Sequence, residues 1–386
     1  MRSPCPLPLL LLTSLILPWN AYAELTITFG GDFALNKKGG KLSAHGASVG
    51  GKLISWEELM SGVRPLWDGD LNFANLETVV SDNGRLPMQD KAFQFQTHPA
   101  GVEYAATQGL NVFSLANNHT YDFSEQGLLE SLQAMNEIQS RTPITCAGAG
   151  RDLQEALEVK IIDVDGYRVA FAAIGIATQK GQKAGKGHPG SAVYQDNSHY
   201  YPILDALASA RADYRILSIH YGTEKQTALN AGQRERFSEA VTRGKADLVL
   251  AHHPHVVRPV EKIGNSIVFY SLGNYLILGA RNINGESNAE DYGLFGRVHL
   301  ERDKSGNVVL EALEVIPLQD MHGVARPMEK DTARTRIQTL NSLSQRQLPR
   351  SIGAPVLFEF NPDRKSGVFC PRNQVRGERA SHLCSP

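Results

Sequence analysis

The sequence of 386 residues has little cysteine and little net charge, and past its first two dozen residues it has no long apolar run. Its four cysteines include no Cys-x-x-Cys pair, which argues against a zinc ribbon. A formal net charge of −1 gives no general attraction to nucleic acid or to a membrane surface, so no nucleic-acid partner is expected. No internal repeat occurs, which excludes a solenoid or a propeller. What remains is a chain with the apolar and charged fractions of an ordinary soluble domain, 42% and 20%, and length for a sizeable core.

The one apolar run stands at the start. Arg2 precedes LPLLLLTSLIL at 7–17, and AYA at 21–23 precedes Glu24. A basic start, a run too short to span with margin and an A-x-A site describe a cleavable signal peptide over 1–23, with a retained anchor as the rival reading. The expected location is periplasmic or secreted. Without that segment the charge is 39 − 1 = 38 basic against 40 acidic residues, or −2. Cys5 leaves with it. Cys370 and Cys384 sit in a basic tail and could close a loop in an oxidising compartment, whereas Cys146 is expected to pack as a small apolar group.

From Leu25 short apolar runs alternate with amphipathic stretches. Strands are expected at 25–29, 71–75, 111–115, 144–148, 214–220 and 246–252. Two hairpins are expected around the turns DG (165–166) and GN (264–265). Helical patterns fill 99–109, 124–139, 200–211 and 231–244, with Ser124 and Glu125 opening the second. The order predicts an α/β sandwich over 24–320, with 321–386 as an extension packed on it. The Gly- and Lys-rich stretch 178–190 is long for a loop. Its Lys180, Lys183 and Lys186 are placed either to meet an anionic substrate, Lys183 foremost, or simply to be solvated.

Polar residues follow the strands. LTITFGG runs into Asp32, LNFANL into Glu77, NVFSLAN into Asn118 and His119, YRILSI into His220, and DLVLAH into His253 with His255 beyond. Ligands bind outside the carboxyl ends of strands in open α/β sheets, so these residues should converge. Carboxylate, amide oxygen and imidazole together suit one or two divalent metals of the manganese, iron, zinc or magnesium kind. A single strand-end Asp or Asn is more often a cap, and a His run is often mere surface. In an extended HHPH segment, however, 253 and 255 would share a face.

The blocks GGDFAL (30–35), NLETVVSD (75–82), LANNHTYD (115–122), HYGTE (220–224), HHPHVVRPVE (252–261) and YSLGNYL (270–276) resemble, in order, the CapA family of poly-γ-glutamate capsule biosynthesis proteins. That family is similar in fold to calcineurin-like metallophosphoesterases. The resemblance implies a four-layer αββα sandwich of two mixed sheets. It also implies metal ligands at Asp32, Glu77, Asn118, His220, His253 and His255, and a catalytic His119 oriented by Asp122. Substrate contacts are expected at Asn75, His252, Asn274 and Lys183. Three positions depart from the metallophosphoesterase pattern: Ala34 replaces the His of Asp-x-His, Ala251 replaces a Gly, and Glu77 replaces a Gly-Asp pair. The absent His points to a single metal or a weakly held second one. Two functions follow. One is a metal-dependent hydrolase of a phosphoester or amide in an anionic envelope polymer. The other is a non-catalytic protein that binds or exports such a polymer alongside capsule or envelope synthesis machinery.

Overall fold

A computed structural model describes residues 24–36, 42–278, 292–348, 352–371 and 377–384. The expected signal peptide over 1–23 lies outside them. Among the described residues, two mixed sheets face each other, one of ten strands and one of seven, and helices cover both outer faces. This is the αββα sandwich implied by the family resemblance.

The layers follow from side-chain alternation. On Leu71–Leu76, Leu71 and Phe73 join the core between the sheets, whereas Ala74 and Leu76 join the core under the helices Trp56–Met60, Pro99–Thr107 and Ser124–Gln139. On Tyr167–Gly175 of the second sheet, Val169, Phe171 and Ala173 point inward. Ala170, Ala172 and Ile174 meet the helices Asn197–Ser209 and Gln233–Thr242. Strands buried on both faces need continuous apolar runs, and such runs made them visible in the sequence. Edge-to-face pairs, Phe29 with Phe269 at 5.0 Å and Phe73 with Phe171 at 5.8 Å, lock the sheets together.

One irregularity sets the site. Along Leu25–Ala34, Leu25, Ile27 and Phe29 face the second sheet, and strict alternation would turn Asp32 away from it. The register against the neighbouring strand slips between Phe29 and Asp32: Phe29 pairs with Phe73 but Asp32 with Asn75, three residues against two. Gly30 and Gly31 form this bulge. A Cβ on Gly31 would lie 1.9 Å from the Gly273 carbonyl oxygen, so only glycine lets the strand Asn274–Ile277 approach. The bulge returns Asp32 to the space between the sheets and sends Phe33 to the outer core.

Both expected hairpins form. Asp165 and Gly166 have φ of 46° and 81°, as a two-residue turn of this hand requires, and Gly264 has 60°. Ser124 does not cap its helix. With φ of 59° it lies in the left-handed region, and its Oγ accepts a hydrogen bond from Gln89 at 2.9 Å. A long antiparallel pair, Gly293–Arg302 with Val308–Gln319, widens the first sheet and had no place in the expected strands.

Residues past 320 are woven into both sheets. Glu359–Asn361 and Ser366–Phe369 extend the first, and Ala354–Pro355 edges the second. The helix Lys330–Gln347 inserts Ala333, Ile337, Leu340 and Leu343 into the core between the sheets. A disulfide joins Cys370 to Cys384 with Cα atoms 6.0 Å apart, and Cys146 is free, its thiol pushed up to about 12 by burial.

Glu314 fastens this region. Its carboxylate is buried and accepts hydrogen bonds from Arg297 (2.5 Å), Arg364 (2.6 and 2.9 Å) and Ser366 (2.7 Å). Burial alone would raise the Glu314 carboxyl, but the bonds and charges of Arg364 and Arg297 outweigh it and hold it at about 2. A carboxylate depressed from its ordinary 4.5 stabilises the fold fully above pH 4.5, and this stabilisation is lost as pH falls toward 2. Glu314→Gln should cost about 3 kcal/mol at neutral pH and flatten the loss of stability over that acid range. Urea unfolding of wild type and variant between pH 2 and 7, followed by circular dichroism, measures both.

Candidate metal centre and catalytic pair

The expected ligands meet at one end of the space between the sheets. Asp32, Asn75 and Glu77 come from the first sheet and His220 and His252 from the second, each in line with inward-facing apolar residues. Two groups hold ligand atoms within 4.8 Å of one another: Glu77 with His220 and His253, and Asp32 with Glu77 and His255. Glu77 belongs to both. Asn118 joins the first group, its Oδ1 lying 2.7 Å from His220 Nε2. His255 Nδ1 is 3.2 Å from Asp32 Oδ2.

The HHPH segment is bent rather than extended. The strand ends at His252, and both His253 (φ 92°) and His255 (φ 57°) adopt left-handed backbone, with Pro254 between them. Non-glycine residues rarely hold this conformation and are strained in it. The bend brings the two rings to 6.2 Å and lets the His253 N–H point at Asp32 Oδ2, 3.4 Å away. The shared face expected from alternation is thus reached by a different backbone.

Electrostatics fit a cation here. Both oxygens of Glu77 are buried and, among the described residues, accept no hydrogen bond. Burial and the neighbouring Asp32 charge push its carboxyl well above the usual range. Burial lowers the rings of His253, to about 3, and of His220. His255 is driven the other way. Although burial opposes it, the carboxylates of Glu77 and Asp32 raise it to about 10. Neutral imidazoles and unpartnered carboxylate oxygens around one point are the donor set of a divalent metal.

Asp32, Glu77 and His220 are wholly buried, whereas Asn118, His119, His253 and His255 keep 5–7% exposure and mark the open side. Asn75 lies beneath. Its amide nitrogen is 2.8 Å from Asp32 Oδ1 and 3.0 Å from His220 Nδ1, and the residue is fully buried, so it braces these two side chains and has no exposed face for a substrate. His252 is also fully buried, packed 5.5 Å from the Phe73 ring with Nδ1 3.9 Å from Asp32. Asn274 Oδ1 holds His255 Nδ1 at 2.8 Å. The Lys183 ammonium pairs with Asp196, the N-cap of the helix Asn197–Ser209. The loop that carries it is pinned by the buried Gln182, whose amide donates to the Asn117 carbonyl at 2.7 Å.

His119 and Asp122 form a pair, Nδ1 to Oδ2 at 2.6 Å, which leaves Nε2 facing Glu77 Oε1 at 3.8 Å. Asn117, the other amide of the Asn-Asn-His run, holds the turn, accepting from the His119 N–H at 3.1 Å and donating to the Leu76 carbonyl at 2.9 Å. Sequence reasoning missed Lys91, whose ammonium donates to Asp122 Oδ1 at 2.7 Å. It lies in an irregular loop, and a lone Lys there carries no spacing signal.

Residues 26–277 match the family described as bacterial capsule synthesis protein PGA_cap. The chain is 26% identical over 282 residues to the PGA biosynthesis protein CapA of Bacillus subtilis (strain 168), covering 72% of this chain and 70% of that one. It is 26% identical over 288 residues to the capsule biosynthesis protein CapA of Bacillus anthracis, covering 74% and 64%. A probable polyglutamine synthesis accessory protein of Mycobacterium tuberculosis is 25% identical over 287 residues, covering 72% and 73%. Distant likenesses among solved structures include a 5′-nucleotidase precursor from Thermus thermophilus, at TM-score 0.36 and 11% identity over 84% of this chain and 59% of that one. A purple acid phosphatase from yellow lupin seeds has TM-score 0.37 and 11% identity over 79% and 53%.

If these residues hold metal, replacing both His253 and His255 with Ala should remove it from the purified protein while the fold persists. Elemental analysis gives the stoichiometry and circular dichroism the folding. A folded double variant with full metal content would place the ions elsewhere.

Proposed function

The chain belongs to the bacterial capsule synthesis family PGA_cap, and from that premise we propose that it is an exported, metal-dependent hydrolase acting on a phosphoester or amide of an anionic envelope polymer such as poly-γ-glutamate. The observation that carries this reading is the His119–Asp122 pair set against two ligand groups that share Glu77. Binding a polymer would need a cation and a groove. It would not need a histidine whose one ring nitrogen is engaged by a buried carboxylate while the other faces the ligands.

Asp32, Glu77 and His255 would hold one divalent ion, and Glu77, Asn118, His220 and His253 a second. A metal there supplies Lewis acidity toward a phosphoryl or carbonyl oxygen. The protein does the rest. Asp122 accepts the Nδ1 proton and fixes the ring, so Nε2 is the atom left to pass a proton to the departing oxygen or nitrogen. Phe95 packs its ring 4.4 Å from that of His119 and keeps water from one face. Asn75 and Asn274 hold His220 and His255 in place. Ala34 supports the rival reading, non-catalytic binding or export of such a polymer, because it leaves the Asp32 group one histidine short of the metallophosphoesterase pattern.

Replacing His119 with Ala should leave metal content intact and lower turnover about 10²- to 10⁴-fold, with a smaller loss for substrates with good leaving groups. Asp122→Asn should cost less. Steady-state hydrolysis of phosphodiesters and γ-glutamyl peptides decides, and full function of the His119 variant in the cell would favour the binding reading. Export has its own check. The Cys370–Cys384 disulfide supports an oxidising compartment, and the exported protein should begin at or near Glu24 by intact-mass spectrometry.

A further inference from the structure

Residues 89–95 wind around the His119–Asp122 pair. The Gln89 N–H donates to the Asp122 carbonyl at 2.9 Å. The buried Gln94 amide donates to the carbonyls of Gln89 (2.8 Å) and Lys91 (2.7 Å) and closes the segment into a turn. The Phe95 N–H donates to Asp122 Oδ2 at 2.7 Å. Inside this frame Lys91 points inward with its side chain only 18% exposed. Its Nζ lies 2.7 Å from Asp122 Oδ1, 3.0 Å from the Asn118 carbonyl oxygen and 3.3 Å from His119 Nδ1.

We propose that Lys91 is a positioning residue that locks the His119–Asp122 pair to the turn at Asn118 and so aims His119 Nε2 at the ligand cluster. An ammonium has three donors and no acceptor, so it cannot take the Nδ1 proton, which goes to Asp122 Oδ2. With Lys91 on one Asp122 oxygen, and His119 and the Phe95 N–H on the other, the carboxylate cannot rotate without breaking a charge-assisted bond. The histidine therefore cannot turn either. The same Nζ holds the Asn118 carbonyl, so a ligand and the proton donor share one anchor. Without the lysine, Asp122 Oδ1 would be buried with no donor among the described residues, and relaxation to satisfy it would move the ring. A shift of about 1 Å at such a group is enough to cost on the order of 100-fold in rate.

The consequence for turnover rests on the hydrolase reading, but the positioning itself does not, and the experiment separates them. The probe is the His119 Nδ1–H proton of the full chain, loaded with diamagnetic zinc and labelled with ¹⁵N-histidine. Wild type should show a downfield, slowly exchanging resonance that His119→Ala removes. Lys91→Met should abolish that resonance or speed its exchange at least about 10-fold, with zinc content and circular dichroism unchanged, and Lys91→Arg should restore it. Lys91→Gln, too short and uncharged, should behave like Lys91→Met and serves if the latter does not fold. Where hydrolysis is measurable, kcat should fall about 10- to 100-fold with KM nearly unchanged. A folded Lys91→Met or Lys91→Gln chain with the wild-type resonance and exchange rate overturns the proposal. If no variant or wild type hydrolyses any substrate, the hydrolase reading fails and the resonance still decides the role of Lys91.

Discussion

A carboxylate buried with no hydrogen-bond donor is the constraint to which the rest of the site answers. Among the described residues, neither oxygen of Glu77 reaches solvent or accepts a hydrogen bond, and taking a charge out of water without compensation costs several kcal/mol. Relief requires a proton or a nearby cation. The surroundings supply positions for the cation: Asp32, three histidine rings and an amide oxygen arranged about the same carboxylate. His255 is the one ring of that set raised in basicity, by the carboxylates of Glu77 and Asp32, whereas burial lowers His220 and His253. Left-handed backbone at His253 and His255 is tolerated because two broad, well-packed sheets hold its flanks.

The layers were legible in the sequence for one reason. Strands covered on both faces are largely apolar, so they stand out as runs. Asp32, Glu77, Asn118, His220 and His253 lie near the carboxyl ends of such runs, which is why they converge. Periodicity could not show how the chain reaches the site. Gly30 and Gly31 alter the phase of their strand, and alternation alone would have aimed Asp32 at the helices. The HHPH bend is likewise a tertiary product, paired to Asp32 through the His253 N–H.

Other features lay outside any local pattern. Gly293–Arg302 and Val308–Gln319 carry Arg297, His299, Glu311 and Glu314 among their apolar residues, which blurs the strand signal. Arg297 and Glu314 are buried because they satisfy each other, with Arg364 joining them across a separation no window of sequence spans. Lys183 illustrates the opposite case. A glycine-rich, basic loop suggests anion binding or plain solvation, and an aspartate at a helix start engages the Lys183 charge within the protein.

The order of strands in the first sheet has a consequence for how the molecule is made. Leu25–Ala34, the first strand described, lies inside the sheet, between Leu71–Leu76 on one side and Gly293–Arg302 on the other, and Asn274–Ile277 pairs with its far end. Two of those three neighbours come from the last third of the chain. A polypeptide emerging amino end first therefore carries an apolar strand with one flank unsatisfied until nearly all the rest has arrived. Such long-range closure makes for slow folding and for exposure to edge-to-edge aggregation in the interval. Under the export proposed above, a chain threaded unfolded through a membrane would turn the same delay to use: the sheet that would block passage cannot finish until the trailing segments are free to join it.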